Sequence, residues 1–218
     1  MGDRRRRVAV LISGRGSNLG ALLEATRRPA AAAEIVEVIS DRPDAAGLDR
    51  ARGAGLPAVV VARSAHPDRG SFEQALQDSL DARGTELICL AGFMRILSPA
   101  FVARWRDRIL NVHPSLLPAF RGLDTHRRAL EAGVRLHGCT VHLVRAEVDA
   151  GPILVQGAVP VLPGDDPATL AARVLEVEHR CYPLALELMA AGRVRVEGER
   201  ALIDAPAPDG RPLINPPA

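Results

Sequence analysis

The sequence predicts an α/β fold: a parallel N-terminal sheet extended by late antiparallel strands into one mixed sheet with helices on both faces. Three observations predict it. From Arg7 to His113, short apolar runs alternate with stretches of helical periodicity. Those runs are apolar at successive positions, as expected of strands buried on both faces. After His113 the alternation stops, and two strand-like segments follow with only residues 145–152 between them, too few for a crossover helix.

Each element carries its own local signal. Residues 7–13 form a short buried-strand pattern that leads into Gly14. Residues 18–28 place Leu19, Leu22 and Leu23 at helical spacing. Residues 34–40 alternate Ile35, Glu37 and Ile39 against Val36 and Val38. A helix over 45–54 stops at Gly55, with Pro57 behind it. Strands follow at 58–61, 86–91 and 108–113, separated by helices at 68–83 and 99–106. Beyond a Pro-rich loop at 114–122 come a short helix at 125–132 and strands at 137–144 and 153–160, an antiparallel hairpin. Residues 166–191 read as one long helix with a kink or break at Pro183. A terminal hairpin at 193–203 and a loosely held Pro-rich tail at 205–218 complete the chain.

Composition excludes several functions. With 218 residues, 47% hydrophobic and 25% charged, the chain can bury a full core. Its 28 basic residues, all arginine, nearly balance 26 acidic ones, so nothing draws it generally to nucleic acid or an anionic membrane. Aromatics at 3% leave few rings on which to stack single strands. No apolar stretch approaches the roughly 18 residues that cross a bilayer. Residues 4–7, all arginine, precede an apolar run too short for a signal sequence and are expected to form a solvated arm. Arg6 stands where a myristoylation pattern needs Ser or Thr. Cys89, Cys139 and Cys181 are odd in number and in no CxxC pair, which points to a reducing compartment and a cytoplasmic protein. His137 and His142 lie five apart on one strand and face opposite sides. No HExxH or Cys/His cluster occurs, so no metal is expected.

Three constellations carry chemistry. Ser13-Gly14-Arg15-Gly16-Ser17-Asn18 joins a strand to a helix, and its glycines let backbone N–H groups turn toward a phosphate at the helix N-terminus. Ser17 or Asn18 is placed to cap that helix; a capped turn without a ligand is the simpler alternative. Leu19 stands where a dinucleotide fingerprint needs its third glycine, although Asp41 ends the second strand about where a ribose-binding acid belongs. The N-terminal half is thus Rossmann-like with a defective dinucleotide signal. Asn111 and His113, two apart at a strand end, share a face, and an amide donor beside an imidazole can stabilise an oxyanion and move a proton. A histidine satisfied by backbone reads equally well there. Finally, Asp149 lies in Glu147-Val148-Asp149-Ala150-Gly151-Pro152, which is compatible with a simple turn; near His113 its carboxylate would orient the imidazole.

Together these pieces resemble the phosphoribosylglycinamide formyltransferases, the folate-dependent transformylases of purine synthesis. The resemblance spans about residues 7–203 and rests on four ordered motifs. They are Val10-Leu11-Ile12-Ser13-Gly14-Arg15-Gly16-Ser17-Asn18-Leu19, Leu90-Ala91-Gly92-Phe93-Met94-Arg95-Ile96-Leu97-Ser98, Asn111-Val112-His113-Pro114-Ser115-Leu116-Leu117-Pro118, and His137-Gly138-Cys139-Thr140-Val141-His142 running to Asp149-Ala150-Gly151-Pro152. It implies that the amine of glycinamide ribonucleotide attacks the formyl carbon of 10-formyltetrahydrofolate, with no metal. By motif match, Asn111, His113 and Asp149 are catalytic. Gly14, Arg15, Gly16, Ser17, Asn18 and Glu178 bind the ribonucleotide. Met94, Arg95, Ile96, Leu97, Val144, Glu147, Val148 and Asp149 hold the folate. The resemblance implies a single domain over 1–204, with a nucleotide-phosphate half about 7–113 and a folate and catalytic half about 114–204. Its partners are the two small molecules, with no nucleic acid and no membrane, and a homodimer is left open.

Asp124, Ala150 and Leu175 depart from the family pattern, and Ala150 would be strained if its position needs positive φ. Related enzymes fit less well. Methionyl-tRNA formyltransferase carries a basic C-terminal tRNA domain, which is not expected here. Formyltetrahydrofolate deformylase has an N-terminal regulatory domain and no need of a ribonucleotide phosphate loop. A non-catalytic folate- or nucleotide-binding module needs no Asn–His pair with a distal Asp, and a nicotinamide dehydrogenase is weakened by Leu19.

Overall fold

Alternation along the first strand sets the two faces of the sheet. In β1 (Arg6–Ile12), Val8, Val10 and Ile12 join one apolar cluster, whereas Ala9 and Leu11 join another. The computed structural model describes residues 4–206, 210 and 213–215. Around β1 the chain lays down α1 (Ser17–Thr26), β2 (Ala33–Ser40), α2 (Ala46–Gly53), β3 (Ala58–Val60), α3 (Arg69–Ala82), β4 (Leu87–Leu90), α4 (Pro99–Arg104) and β5 (Ile109–His113). Then follow α5 (Thr125–Glu131), β6 (Leu136–Leu143), β7 (Ile153–Pro160), α6 (Pro167–Ala190) and a hairpin, β8 (Val194–Glu197) and β9 (Arg200–Ile203). Seven strands form one sheet in the order β3-β2-β1-β4-β5-β6-β7. Pairing is parallel from β3 through β5 and antiparallel at β5–β6 and β6–β7, as the change of pattern after His113 predicts. The terminal hairpin pairs only with itself.

Helices cover both faces. Leu19 and Leu22 of α1, Leu48 of α2 and Leu170, Val174 and Leu186 of α6 bury one side. Phe72, Leu76 and Leu80 of α3 and Phe101 of α4 bury the other. The strand order reverses at β1, whose neighbours are β2 and β4, and in open α/β sheets ligands collect beyond the strand ends at such a point. The three motif loops after β1, β4 and β5 all lie at that end.

Four expectations need correction. The alternation predicted for β2 fails, because a register shift between Val8 and Ala9 puts Ile35 and Val38 in one cluster and Ile39 in the other. Glu37 is fully buried there, and burial pushes its carboxyl up despite hydrogen bonds from Ser79 and Thr85. Helix α6 does not break at Pro183; it is one helix of 24 residues, started by an Asp166–Thr169 capping box. Its buried Tyr182 hydroxyl reaches the Leu90 and Leu110 carbonyls of the sheet, at 3.1 and 3.0 Å. The arginines at 4–7 are not a free arm. Arg6 and Arg7 belong to β1, Arg4 and Arg6 pair with Glu86, Arg7 pairs with Glu34, and Arg5 donates to the carbonyls of Thr26, Arg28 and Pro29. Finally, α1 is capped by neither Ser17 nor Asn18, since its N-cap is Gly16 with no side-chain cap.

Of the tail, residues 207–209, 211–212 and 216–218 lie outside the described residues, and Asn215 donates to the Arg135 carbonyl at 2.6 Å. Among the described residues no helix is long and apolar enough to cross a membrane.

Candidate active site

Strand pairing, not sequence proximity, assembles the centre. Asn111 and His113 leave the same face of β5, and the antiparallel register sets them opposite His142 and Thr140 of β6. The chain returns between β6 and β7 through Asp149, whose φ of 53° turns its carboxylate back to β5. One oxygen, Oδ2, lies 3.3 Å from His113 Nδ1 and accepts from the Gly122 N–H at 2.9 Å. The other, Oδ1, lies 3.8 Å from His142 Nε2. The left-handed position in this loop is therefore Asp149 and not Ala150, so the departure at Ala150 carries no strain. Gly151 is the residue that tolerates no side chain: a Cβ there would collide with the Leu143 carbonyl.

His142 is the residue that sequence reasoning missed. Burial lowers its basicity more than the Leu143 carbonyl and Asp149 raise it, so the ring is held neutral. Its Nδ1–H donates to the Leu143 carbonyl at 3.0 Å, which makes Nε2 an acceptor facing Asn111 Nδ2 at 3.3 Å. The Asn111 amide is thereby oriented, and its second N–H has no partner among the described residues. On the other ring, His113 Nε2 sits 3.0 Å from the Phe120 carbonyl, and Phe120 takes a φ of 53°. Thr140 braces the proline loop: its hydroxyl donates to the Ser115 carbonyl and accepts from the Leu117 N–H and from Gln156. The Leu117–Pro118 bond in this loop is cis. His137, as its five-residue offset from His142 requires, has other neighbours, Phe120 and His126, and burial lowers its pKa to about 4. Among the described residues no three His, Cys, Asp or Glu side chains are grouped to hold a metal.

The loop after β1 is built for close backbone approach. Gly16 takes a φ of 69°, and a Cβ on it would stand 3.0 Å from the Gly47 backbone. The Gly47 N–H in turn donates to the Gly14 carbonyl at 3.0 Å. The N-cap of α1, Gly16, makes no side-chain capping bond to the N–H groups of its first turn. Asn18 points elsewhere: its Nδ2 donates to Glu178 Oε2 of α6 at 2.7 Å, joining two residues 160 apart in sequence. Burial pushes the Glu178 carboxyl up, and the Asn18 bond partly offsets this. Arg15 is exposed. A cavity of about 860 Å³ between α1 and α6 touches this loop only at Ser17 and contains none of Asn111, His113 and Asp149.

The remaining predicted residues fall in two segments. Met94 and Ile96 are 67% and 65% exposed, an unusual surface for apolar side chains flanking an arginine. Leu97 is buried beneath them, and Val144 packs against the same apolar cluster. Arg95 pairs with Asp41, Glu147 with Arg121, and Val148 is exposed. Leu97 and Val144 thus bring the two segments to one layer of core, while Glu147 is drawn toward the proline loop instead.

Comparison with known proteins fits this geometry. The formyl transferase family model matches residues 6–186. The phosphoribosylglycinamide formyltransferase of Escherichia coli strain K12 is 44% identical over 90% of this chain and 93% of the relative. The chain belongs to the phosphoribosylglycinamide formyltransferase family. A solved structure of that family, glycinamide ribonucleotide transformylase 1 from Symbiobacterium toebii, superposes with a TM-score of 0.90 at 50% identity, over 93% of this chain and 95% of that one. The trifunctional purine biosynthetic protein adenosine-3 of Bos taurus is 51% identical over 90% of this chain, which spans about a fifth (19%) of that relative's length. Of the departures from the formyltransferase pattern, Asp124 takes a φ of 56° at the start of α5 and pairs with the exposed Arg127, and Leu175 lies half-buried one turn before Glu178.

Proposed function

We propose that the protein transfers the formyl group of 10-formyltetrahydrofolate to the amine of glycinamide ribonucleotide, giving N-formylglycinamide ribonucleotide and tetrahydrofolate in purine synthesis. The observation that carries this reading is the return of Asp149 to within 3.3 Å of His113, on the face shared with Asn111. The amine forms a bond to the formyl carbon, and the carbonyl oxygen becomes an oxyanion. The free Asn111 N–H and the His113 Nε2–H, now aimed at the Phe120 carbonyl, supply the donors for that charge. Asp149 balances charge on the imidazole and relays the proton from the attacking amine to N10, through water, as the bond to tetrahydrofolate breaks. The turn at Gly14, Gly16, Ser17 and Asn18, with Arg15 beside it, takes the nucleotide phosphate, and Glu178 the ribose. Met94, Arg95, Ile96, Leu97, Val144, Glu147 and Val148 flank the folate, whose flat ring suits an apolar slot edged by backbone donors and acceptors.

Steady-state assays with 10-formyltetrahydrofolate and either glycinamide ribonucleotide, water alone or charged initiator tRNA test the reading. Turnover with the ribonucleotide alone is expected; turnover with water alone would make the protein a deformylase. The subsites are separable. Gly16→Val adds a side chain at positive φ against Gly47, so the ribonucleotide KM rises at least tenfold while tetrahydrofolate affinity stays within a factor of about two. The opposite pattern exchanges the two subsites.

Glu178 gives a prediction with a pH signature. Its carboxyl is raised in the fold, so ionising it there costs stability as pH rises through the ordinary carboxyl value and beyond. Glu178→Gln keeps an acceptor for Asn18 Nδ2 and removes that cost. The variant should melt above wild type at pH 7, with the difference closing below about pH 4, where both states are protonated. Its ribonucleotide KM should rise about tenfold, the effect of one lost charge-assisted bond. A lower melting temperature at pH 7 would contradict the burial argument.

A further inference from the structure

Asp41 stands where a dinucleotide-binding fold keeps its ribose acid, and its surroundings show another use. Its side chain is fully buried, so a ribose cannot reach it from solvent. Oδ2 accepts from Arg95 Nε at 2.6 Å, while Oδ1 is buried with no hydrogen-bond partner among the described residues. An anion enclosed with half its acceptor capacity unused is costly unless the retained contact matters. The retained contact holds the one charged side chain of the segment at 94–97. Because the pair is made through Nε, both terminal nitrogens of the guanidinium are left without a partner among the described residues, on a side chain that is 41% exposed. A guanidinium held this way presents a fixed, planar pair of donors instead of a flexible charge.

The segment's other ties are to its backbone. Ser13 Oγ accepts from the Met94 N–H at 2.9 Å, and Glu73 accepts from the Ser98 N–H at 2.6 Å and from its hydroxyl. These set the path of the chain from β4 to α4. They leave side-chain direction open, and the exposed Met94 and Ile96 on either side make no hydrogen bond to the guanidinium. Only Asp41 does so.

We infer that Asp41 is a positioning residue for the folate: it fixes the Arg95 guanidinium, between the exposed Met94 and Ile96, in the orientation that receives the cosubstrate. The inference rests on the folate assignment of this segment. It also gives the acid at the end of β2 a use other than ribose binding, since Asp41 is already engaged by a residue of the folate segment.

The test is a double-mutant cycle read by tetrahydrofolate binding in calorimetry and by the KM values of both substrates. Asp41→Asn is nearly isosteric and keeps an oxygen for Arg95, so it removes charge with little risk to folding; Arg95→Met removes the guanidinium. Each should weaken tetrahydrofolate binding about tenfold, leave the ribonucleotide KM within about twofold, and combine to no more than Arg95→Met alone. NAD should give no heat with any variant. If Asp41→Asn binds tetrahydrofolate as wild type does, or lowers only the melting temperature, or the two losses multiply, the positioning role is overturned. Failure of the wild type itself to bind tetrahydrofolate would instead remove the folate assignment.

Discussion

Replacing Asp149 by Asn lowers kcat by about a hundredfold to ten-thousandfold, the range that positioned proton transfer contributes, while Kd for tetrahydrofolate and for the ribonucleotide changes little. The geometry makes this a clean loss. An amide at Asp149 can keep its oxygen in the Oδ2 position, where it still accepts from the Gly122 N–H and faces His113 Nδ1. Its NH₂ then falls at Oδ1, 3.8 Å from His142 Nε2, which is an acceptor in the neutral tautomer that burial enforces. The loop therefore keeps its fold, and what disappears is the negative charge and the capacity to carry a proton. Such a loss acts on the transition state and leaves ground-state binding nearly intact. Pre-steady-state turnover with both substrates saturating is the measurement. A folded Asp149→Asn protein with wild-type kcat would reduce this loop to a turn.

Removal of either proposed oxyanion donor is the second large effect. Asn111→Ala and His113→Ala should each cost on the order of a hundredfold or more in kcat. Asn111→Asp should be as severe as the alanine change although it is isosteric, because it sets a carboxylate against the Nε2 lone pair of His142 and against the developing negative charge. The double variant Asn111→Ala with His113→Ala should lose little beyond the worse single one, since the two donors serve one oxygen and fail together. Losses that multiply would mean that the two residues act in separate steps.

Much of this was legible in the sequence, element by element. The parallel half follows from apolar runs separated by helical repeats, and the antiparallel return from the short link at 145–152. Asn111 and His113 share a face because a strand alternates with period two, so two residues apart suffices. Gly14 and Gly16 announce a tight turn, and the structure has one there, with Gly16 at a φ of 69°. These are local properties, set by backbone sterics and by the burial each residue type prefers.

What the tertiary structure decided are the relations between segments. His142 faces Asn111 only because β6 pairs with β5 in one register; shifted by one residue, the strand would turn that ring to the opposite face. Asp149 meets His113, and Glu178 meets Asn18, across gaps of 36 and 160 residues that no periodicity spans. Gly47 and Gly151 matter through backbones that approach from elsewhere in the chain. Asp41 looked like a ribose ligand from its place at a strand end, and becomes the partner of Arg95 only when the ends of β2 and β4 converge beside β1. By itself the sequence determined which residues could do chemistry and which face of its own element each occupies, because those depend on nearest neighbours along the chain. Which of them meet, and which is buried away from solvent, follows from strand register and from packing, where contacts are made by residues far apart in sequence.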